Sequence, residues 1–233
     1  MIRSTPAGLL AASGDAVATF LADSSRPDHL DAVREVWSED VYHLNGRDLA
    51  DRAVIDIGAH IGAFTVRAAA KGARVLAIEP FVEAHDRLIV NLDRNGLTPS
   101  VVPLCAAAGP SDGPGSVFIG RIGDTGMGSD DPSADDAVVA EVLAPREIAL
   151  RVASLGLPDA DDIAVLKVDI EGAEHPLFGC PQIGELLARC EFVAIETHPG
   201  PALGRIIEAL LPTHSVSAFG RPAAGGMVYA TRY

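Results

Sequence analysis

Cationic side chains are scarce in this chain: 18 Lys and Arg stand against 32 Asp and Glu among 233 residues, a formal net charge of −14. A surface of that sign repels a phosphate backbone, and no Lys/Arg cluster interrupts it, so neither nucleic acid nor an anionic membrane is expected as a partner. Cysteines are few as well. Cys105, Cys180 and Cys190 are odd in number, widely spaced and set in apolar or helical contexts, which argues for neither a disulfide framework nor a zinc site and for reduced, mostly buried thiols. Long apolar runs are missing: the patch at residues 9–12 is too short for a signal peptide, and no stretch of 18 apolar residues follows, so a cytoplasmic protein is expected. Aromatics make up only 5 % of the chain.

What is present in quantity is aliphatic. Hydrophobic residues reach 48 %, with much Ala, Val, Leu and Ile, the composition of helices laid over a parallel sheet. The length fits one α/β domain that buries roughly 70 % of its unfolded surface, with a short extension. Residues 1–50 carry two helical patterns, at 16–21 and 30–37, and are expected to form a helical segment packed on a core domain spanning 51–233. Within that domain strands are expected at 54–57, 75–79, 101–107, 163–170 and 192–197. An added strand or hairpin is expected at 116–122, another strand at 137–142, and a closing hairpin at 216–219 and 227–231. Helices are expected at 81–95, 146–156, 177–189 and 201–211. The expected fold is therefore α/β and Rossmann-like, a mixed sheet with helices on both faces. Residues 124–136, DTGMGSDDPSADD, read as a loop, either a solvated linker or a substrate lid.

The most informative stretch is 54–80, VIDIGAHIGAFTVRAAAKGARVLAIEP. It reads as a buried strand, a turn through Gly58, Ala59, His60 and Gly62, a helix stopped by Gly72, and a second strand ending in Glu79. Glycine at the turn lets backbone approach a ligand closely. Glu79 falls 21 residues after Gly58, the usual place for a carboxylate that grips a ribose diol. In the dinucleotide frame G-x-G-x-x-G, however, Asp56 occupies the first glycine position and Ile61 the third. An acid beside the helix N-terminus repels a pyrophosphate and attracts a ligand bearing a sulfonium and an ammonium. This selects S-adenosylmethionine over NAD(P). The competing account is that Asp56 and Glu79 only cap helices.

A second constellation lies at 167–171. Lys167, Asp169 and Glu171 share one face if the strand stays extended, bringing three charges to the carboxyl end of the fourth core strand, where open α/β sheets bind ligands. Methyl transfer from a sulfonium is an in-line displacement that needs an aligned acceptor, a base and dry surroundings. Asp169 is expected either to be that base or to accept the methionine ammonium. Glu171 would orient the acceptor, and Lys167 would lower its pKa or hold Asp169 ionised. His198 is a second candidate base. Asp169, Glu171, Glu196 and His198 are alternatively suited to a magnesium or manganese ion, a reading less favoured than metal-free transfer.

With these motifs in view, the chain resembles the FkbM-type methyltransferases, a branch of the class I S-adenosylmethionine-dependent enzymes. The resemblance runs over about residues 41–232 and rests on VIDIGAHIG at 54–62, on AIEP at 77–80 with Asn91, Asn95 and Gly96 behind it, and above all on LKVDIEGAE at 166–174. It implies a seven-stranded mixed sheet and cofactor contacts from the turn after the first core strand and from Glu79, Pro80 and Phe81. It further implies Tyr42 near the cofactor, Ala106 and Ala107 flanking the adenine, and O-methylation of a hydroxyl on a sugar or secondary metabolite. His60 stands where the family usually has Asn. The family's Thr-Leu-Asp segment before the fourth core strand is matched only by Ser154-Leu155-Gly156, which bears on the acceptor pocket more than on the cofactor site. The competing functions are a Rossmann-type NAD(P)-dependent oxidoreductase and a noncatalytic S-adenosylmethionine-binding protein.

Overall fold

The computed structural model describes residues 1–5, 8–14, 16–23, 26–118, 137–158, 162–200, 202–221 and 225–233. The chain opens with β1 (Ile2–Thr5), β2 (Gly8–Ser13) and β3 (Ala16–Phe20), an antiparallel three-stranded sheet in that order, followed by α1 (Pro27–Arg34) and a π-helical turn, Glu35–Glu39. The central domain then alternates β4 (Ala53–Ile57), α2 (Ala63–Ala70), β5 (Arg74–Ile78), α3 (Val82–Arg94) and β6 (Val101–Leu104). A small second sheet follows from β7 (Ala107–Ala108), β8 (Gly113–Phe118) and β9 (Ala137–Leu143), in the order β7-β9-β8. The chain returns through α4 (Pro145–Arg151), a 3-10 turn at Val152–Leu155, β10 (Ile163–Val168), α5 (Glu174–Phe178), α6 (Ile183–Leu187), β11 (Cys190–Thr197), α7 (Ala202–Leu210), β12 (His214–Arg221) and β13 (Gly225–Arg232).

The main sheet has seven strands in the order β12-β13-β11-β10-β4-β5-β6, parallel from β11 to β6 and antiparallel where β13 and β12 join. The chain builds outward from β4 to β6 and then crosses back to lay β10 on the other side of β4. The strand order therefore reverses between β4 and β10, and the crevice for a ligand opens at their carboxyl ends. One face of the sheet buries Ile55, Ile57, Leu166, Val168, Val193 and Ile206. The other buries Val54, Val75, Val165, Phe64 and Leu88 together with Phe20 and Trp37 of the N-terminal segment. Burial on both faces explains why β4 and β10 read as continuous apolar runs broken only by Asp56 and Lys167.

The N-terminal segment differs from expectation. Residues 16–20 form a strand, not a helix: Val17 is 62 % exposed while Ala18 and Phe20 are at most 2 % exposed, a period of two. The deciding contacts are nonlocal. Asn95, which caps the carboxyl end of α3, accepts the Thr19 N–H at 2.9 Å and donates back to the Thr19 carbonyl at 2.9 Å, so its amide satisfies both backbone groups of an edge residue. Asn91, fully buried, accepts the Leu21 N–H at 2.6 Å and donates to the Ile61 carbonyl at 2.8 Å. Trp37 donates its indole N–H to the Ala63 carbonyl at 3.0 Å and meets Phe20 edge-on. The second helical expectation, at 30–37, is met by α1 and the turn after it.

Three further boundaries shift. The strand expected at 101–107 stops at Leu104, and Ala107 pairs with Val142 in the second sheet. The helix expected at 177–189 splits into α5 and α6, because Pro181 disfavours helical backbone at Cys180. The helix expected at 146–156 is α4 plus the 3-10 turn, closed by Gly156 at φ 68°. The loop at 124–136 and residues 119–122 of the added strand lie outside the described residues. Among the described residues no helix is long and apolar enough to cross a membrane.

Asn91→Leu should lower stability by about 2 kcal/mol or more, since it leaves the Leu21 N–H and the Ile61 carbonyl buried without partners. Urea unfolding checks this; an unchanged midpoint would show that Asn91 does not fasten the N-terminal sheet.

Candidate active site

The turn after β4 is shaped by three left-handed residues, Gly58 (φ 80°), His60 (φ 51°) and Gly62 (φ 88°). Gly58 is required by the protein's own backbone: a β-carbon there would overlap the carbonyl oxygen of Asp169. The close approach anticipated for a ligand is thus made, at this residue, by the end of β10. The Asp169 N–H donates to the Ile57 carbonyl at 3.0 Å, and the N–H groups of Gly58 and Ala59 donate to Ile78 at 2.9 and 3.0 Å, so three strand ends are clasped together. His60 holds a backbone conformation that costs a non-glycine residue about 1 kcal/mol or more.

Beneath the turn lies Lys167, 3 % exposed. Its ammonium pairs with Asp56 at 3.2 Å and Asp169 at 3.6 Å and donates to the carbonyl of Gly58. Burial disfavours its charge, but Asp56 and Asp169 outweigh that and raise its pKa. Asp56 departs from its expected role of facing a cationic ligand. It is fully buried, accepts the Thr65 hydroxyl at 2.5 Å, and spends its charge on Lys167.

The negative face belongs to other residues. Asp169 Oδ2 and Glu196 Oε2 both lie against the Tyr42 hydroxyl, at 3.1 and 3.3 Å. Burial, then Asp169, pushes the Glu196 carboxyl up to about 7, while burial with the same two acids lifts the Tyr42 hydroxyl well above its ordinary range. Glu35, in the π-helical turn, is raised by burial and by Asp169. Nothing in the local pattern marks Glu35, because it reaches the site through the docking of the N-terminal segment.

Glu171 comes within 4.8 Å of Asp169, but not by the extended strand expected. β10 ends at Val168, and Glu171 enters a left-handed conformation (φ 53°), which turns its carboxylate toward His198 at 3.0 Å. Glu174, fully buried, takes the other ring nitrogen at 3.0 Å. Burial opposes a charged imidazole, yet the hydrogen bonds that its N–H groups donate to Glu171 and Glu174 outweigh it and hold the His198 pKa at about 11. His198 is therefore an imidazolium locked between two carboxylates at neutral pH, which corrects its reading as a candidate base. Asp169, Glu171 and His198 do offer ligand atoms within 4.8 Å of one another. With both ring nitrogens of the protonated imidazole held by Glu171 and Glu174, His198 has no lone pair to offer a metal, so the chemistry of the set favours the metal-free reading.

Glu79, at the end of β5, is 4 % exposed. Its two oxygens accept the N–H of His60 at 2.7 Å and of Phe81 at 2.9 Å. Burial pushes its carboxyl up to about 7 against the pull of those two donors. Ala106 and Ala107 are buried, and Phe81 packs against Ala107. Asp28 and His29 of α1 adjoin His60, with Asp28 Oδ2 at 3.4 Å from its Nε2. Burial and then His29 push the His60 imidazole down to about 4, so it is neutral. Cys180 and Cys190 are buried free thiols, whereas Cys105 is exposed, contrary to expectation for that residue.

The His198 pKa carries a stability signature. A group raised from 6.5 to about 11 on folding contributes stability fully present below pH 6.5 and lost as pH rises toward 11. Denaturant unfolding at pH 6, 8 and 10 should therefore show a decline that His198→Gln flattens; an equal decline in the variant would contradict the locked imidazolium.

Comparison with known proteins bears on the family and the fold. The FkbM methyltransferase domain model matches residues 56–215, more than half of the chain. No curated protein matches in sequence. Among solved structures, a methyltransferase FkbM from Methylobacillus flagellatus KT superposes with TM-score 0.52 at 18 % identity over 90 % of this chain, which spans 56 % of that protein. A magnesium protoporphyrin IX methyltransferase from Synechocystis PCC 6803, solved with bound SAM, gives 0.51 at 11 % identity, covering 94 % of this chain and 87 % of that one. A putative rRNA methylase from Clostridium thermocellum gives 0.51 at 9 % identity, covering 84 % and 94 %. At such identities these likenesses speak to fold alone. The seven-stranded sheet is the Rossmann-like class I methyltransferase fold, and the chain belongs to the FkbM methyltransferase domain family.

Proposed function

We propose that this protein is an S-adenosylmethionine-dependent methyltransferase that transfers the methyl group to a hydroxyl of a small molecule, a sugar or a natural-product intermediate. The observation that carries the reading is Glu79, a buried carboxylate at the end of β5 beside a left-handed glycine turn, with a second, acidic patch of Asp169, Glu196 and Glu35 across the crevice. These residues fit the cofactor. The Glu79 carboxylate suits a ribose diol, and Phe81, Ala106 and Ala107 suit the apolar faces of an adenine. The backbone of Gly58, Ala59, His60, Gly62 and Pro80 borders the same space. The acidic patch suits an ammonium beside a sulfonium. When bound, S-adenosylmethionine supplies an electrophilic methyl group on that sulfonium.

The chain's own residues supply charge and alignment. Lys167, paired with Asp169 at 3.6 Å, holds that carboxylate in place, and Asp169 anchors a cation rather than accepting the acceptor's proton. Tyr42 fixes the orientation of Asp169 through its hydroxyl. Glu171 pairs with His198 at the rim and orients the acceptor, and the His198 imidazolium, raised to about 11, keeps its proton near neutral pH. The choice of a neutral or cationic small acceptor over RNA is supported by the net charge of −14 and by the acidic lining of the site. A reaction within the cytoplasm is part of the same proposal.

Isotopically labelled S-adenosylmethionine incubated with a metabolite extract should yield a labelled, hydroxyl-methylated product by mass spectrometry. Thermal stabilisation by NAD and indifference to S-adenosylhomocysteine would instead favour the oxidoreductase. Glu79→Ala should weaken S-adenosylmethionine binding by about 1.5–3 kcal/mol in calorimetry, through loss of two charge-assisted hydrogen bonds; unchanged affinity would rule out the ribose role. Asp169→Asn should abolish turnover while circular dichroism and the unfolding midpoint stay close to the parent's, and near-normal rates would remove this residue from the mechanism.

A further inference from the structure

We propose that Glu196 is the group that takes the proton from the acceptor hydroxyl, acting as one member of a carboxyl pair with Asp169 that the Tyr42 hydroxyl bridges. The inference rests on the methyl-transfer reading above and deepens it. Its starting point is a hydrogen count. The phenolic oxygen of Tyr42 stands 3.1 Å from Asp169 Oδ2 and 3.3 Å from Glu196 Oε2, and it has one proton to give. With both carboxyls ionised, one of the two contacts brings lone pairs together. A proton on Glu196, donated to the phenolic oxygen while Tyr42 donates to Asp169, satisfies both. The pair then holds one proton, as two acids crowded onto one site must.

The surroundings decide which acid carries it. Asp169 has the shorter bond to Tyr42 and the Lys167 ammonium at 3.6 Å, so the proton of the pair belongs on Glu196. Among the described residues Glu196 has no ion-pair partner. His198, two residues along, is taken by Glu171 and Glu174, and Lys167 is taken by Asp56 and Asp169. The charged and titratable groups that bear on Glu196 are Asp169 and Lys167 from β10 and its end, Tyr42 and Glu35 from the segment before β4, and His198 after β11. Asp169 and Glu35 disfavour its charge, while His198 and Lys167 favour it. The balance lifts the Glu196 carboxyl to about 7, where a base is strong enough to accept a proton yet largely free to do so. In the step itself the acceptor oxygen forms a bond to the methyl carbon as the sulfonium–methyl bond breaks, its electron pair returning to sulfur. The hydroxyl proton passes to Glu196, which ends neutral beside a neutral thioether.

The test uses the full chain labelled with glutamate carrying carbon-13 in the side-chain carboxyl, titrated by NMR without ligand. Two resonances should titrate near pH 7, one from Glu79 and one that disappears in Glu196→Gln; in Asp169→Asn the latter midpoint should move to lower pH. In the methyl-transfer assay the parent's kcat should rise with pH through a single deprotonation that Glu196→Gln abolishes. Glu196→Gln should lose about 100-fold or more in kcat at pH 8 with S-adenosylmethionine saturating. Titration of Glu196 in the ordinary carboxylate range, or a parental rate in Glu196→Gln, would overturn the assignment. A parent that transfers no methyl group to any hydroxylated compound would overturn the methyl-transfer reading, and this role for Glu196 with it, whatever the titration shows.

Discussion

The ammonium of Lys167 sits where β4 and β10 run side by side, and four oxygen atoms converge on it, from the carboxylates of Asp56 and Asp169 and the carbonyls of Ile57 and Gly58. A lone charge at that depth would cost several kcal/mol, and so would Asp56 without it. Neither is removable alone. The consequence is geometric: Asp56 belongs to β4 and Lys167 to β10, and Lys167 pairs with Asp56 in register across the sheet. The charge that must be neutralised thus fixes the two strands at the reversal point of the sheet. Gly58, with no side chain to intervene, lets the end of β10 close on the turn.

From that anchor the electrostatics of the crevice follow. Lys167 is consumed by two acids and His198 by two more, so the cations near the site are matched by Asp56, Asp169, Glu171 and Glu174. Glu196, Glu35 and Glu79 are then left as acids whose charge burial opposes, and all three pKa values rise. A site with acids in excess of cations attracts a ligand that brings positive charge, and its affinity gains from a crevice where water screens poorly. This ties the acidic composition of the chain to a local function.

The N-terminal segment completes the site and also exposes the limit of pattern reading. Residues 16–21 are short and apolar, and over six residues a helical and an alternating pattern fit almost equally well. Asn91 and Asn95 resolve the ambiguity from α3, some 70 residues downstream, by offering amides that pair with strand backbone. The same docking brings Glu35 and Tyr42 over the end of β10 and sets Asp28 and His29 against His60. Tyr42 was accessible only through the family resemblance, and Glu35, Asp28 and His29 had no signal at all.

The sequence by itself determined the architecture and the ends of strands from which the site is built. Buried parallel strands must be apolar along their length, and the rare charges within them, Asp56 and Lys167, stand out against that requirement. The left-handed turn needed Gly58 and Gly62, and the 21-residue spacing to Glu79 follows from one strand-helix-strand unit. Only the tertiary structure decided which charge meets which. Period-two reasoning put Lys167, Asp169 and Glu171 together on an extended strand, but β10 ends at Val168, and Glu171 reaches His198 through a left-handed turn that still leaves its carboxylate within 4.8 Å of Asp169's. Asp56 turned inward to Lys167, and Glu196 was brought to Asp169 through Tyr42. Such pairings join residues from 27 to more than a hundred positions apart. They depend on distances of a few ångströms that no local spacing encodes, and a pKa, set by burial and by neighbours, is a property of the folded site.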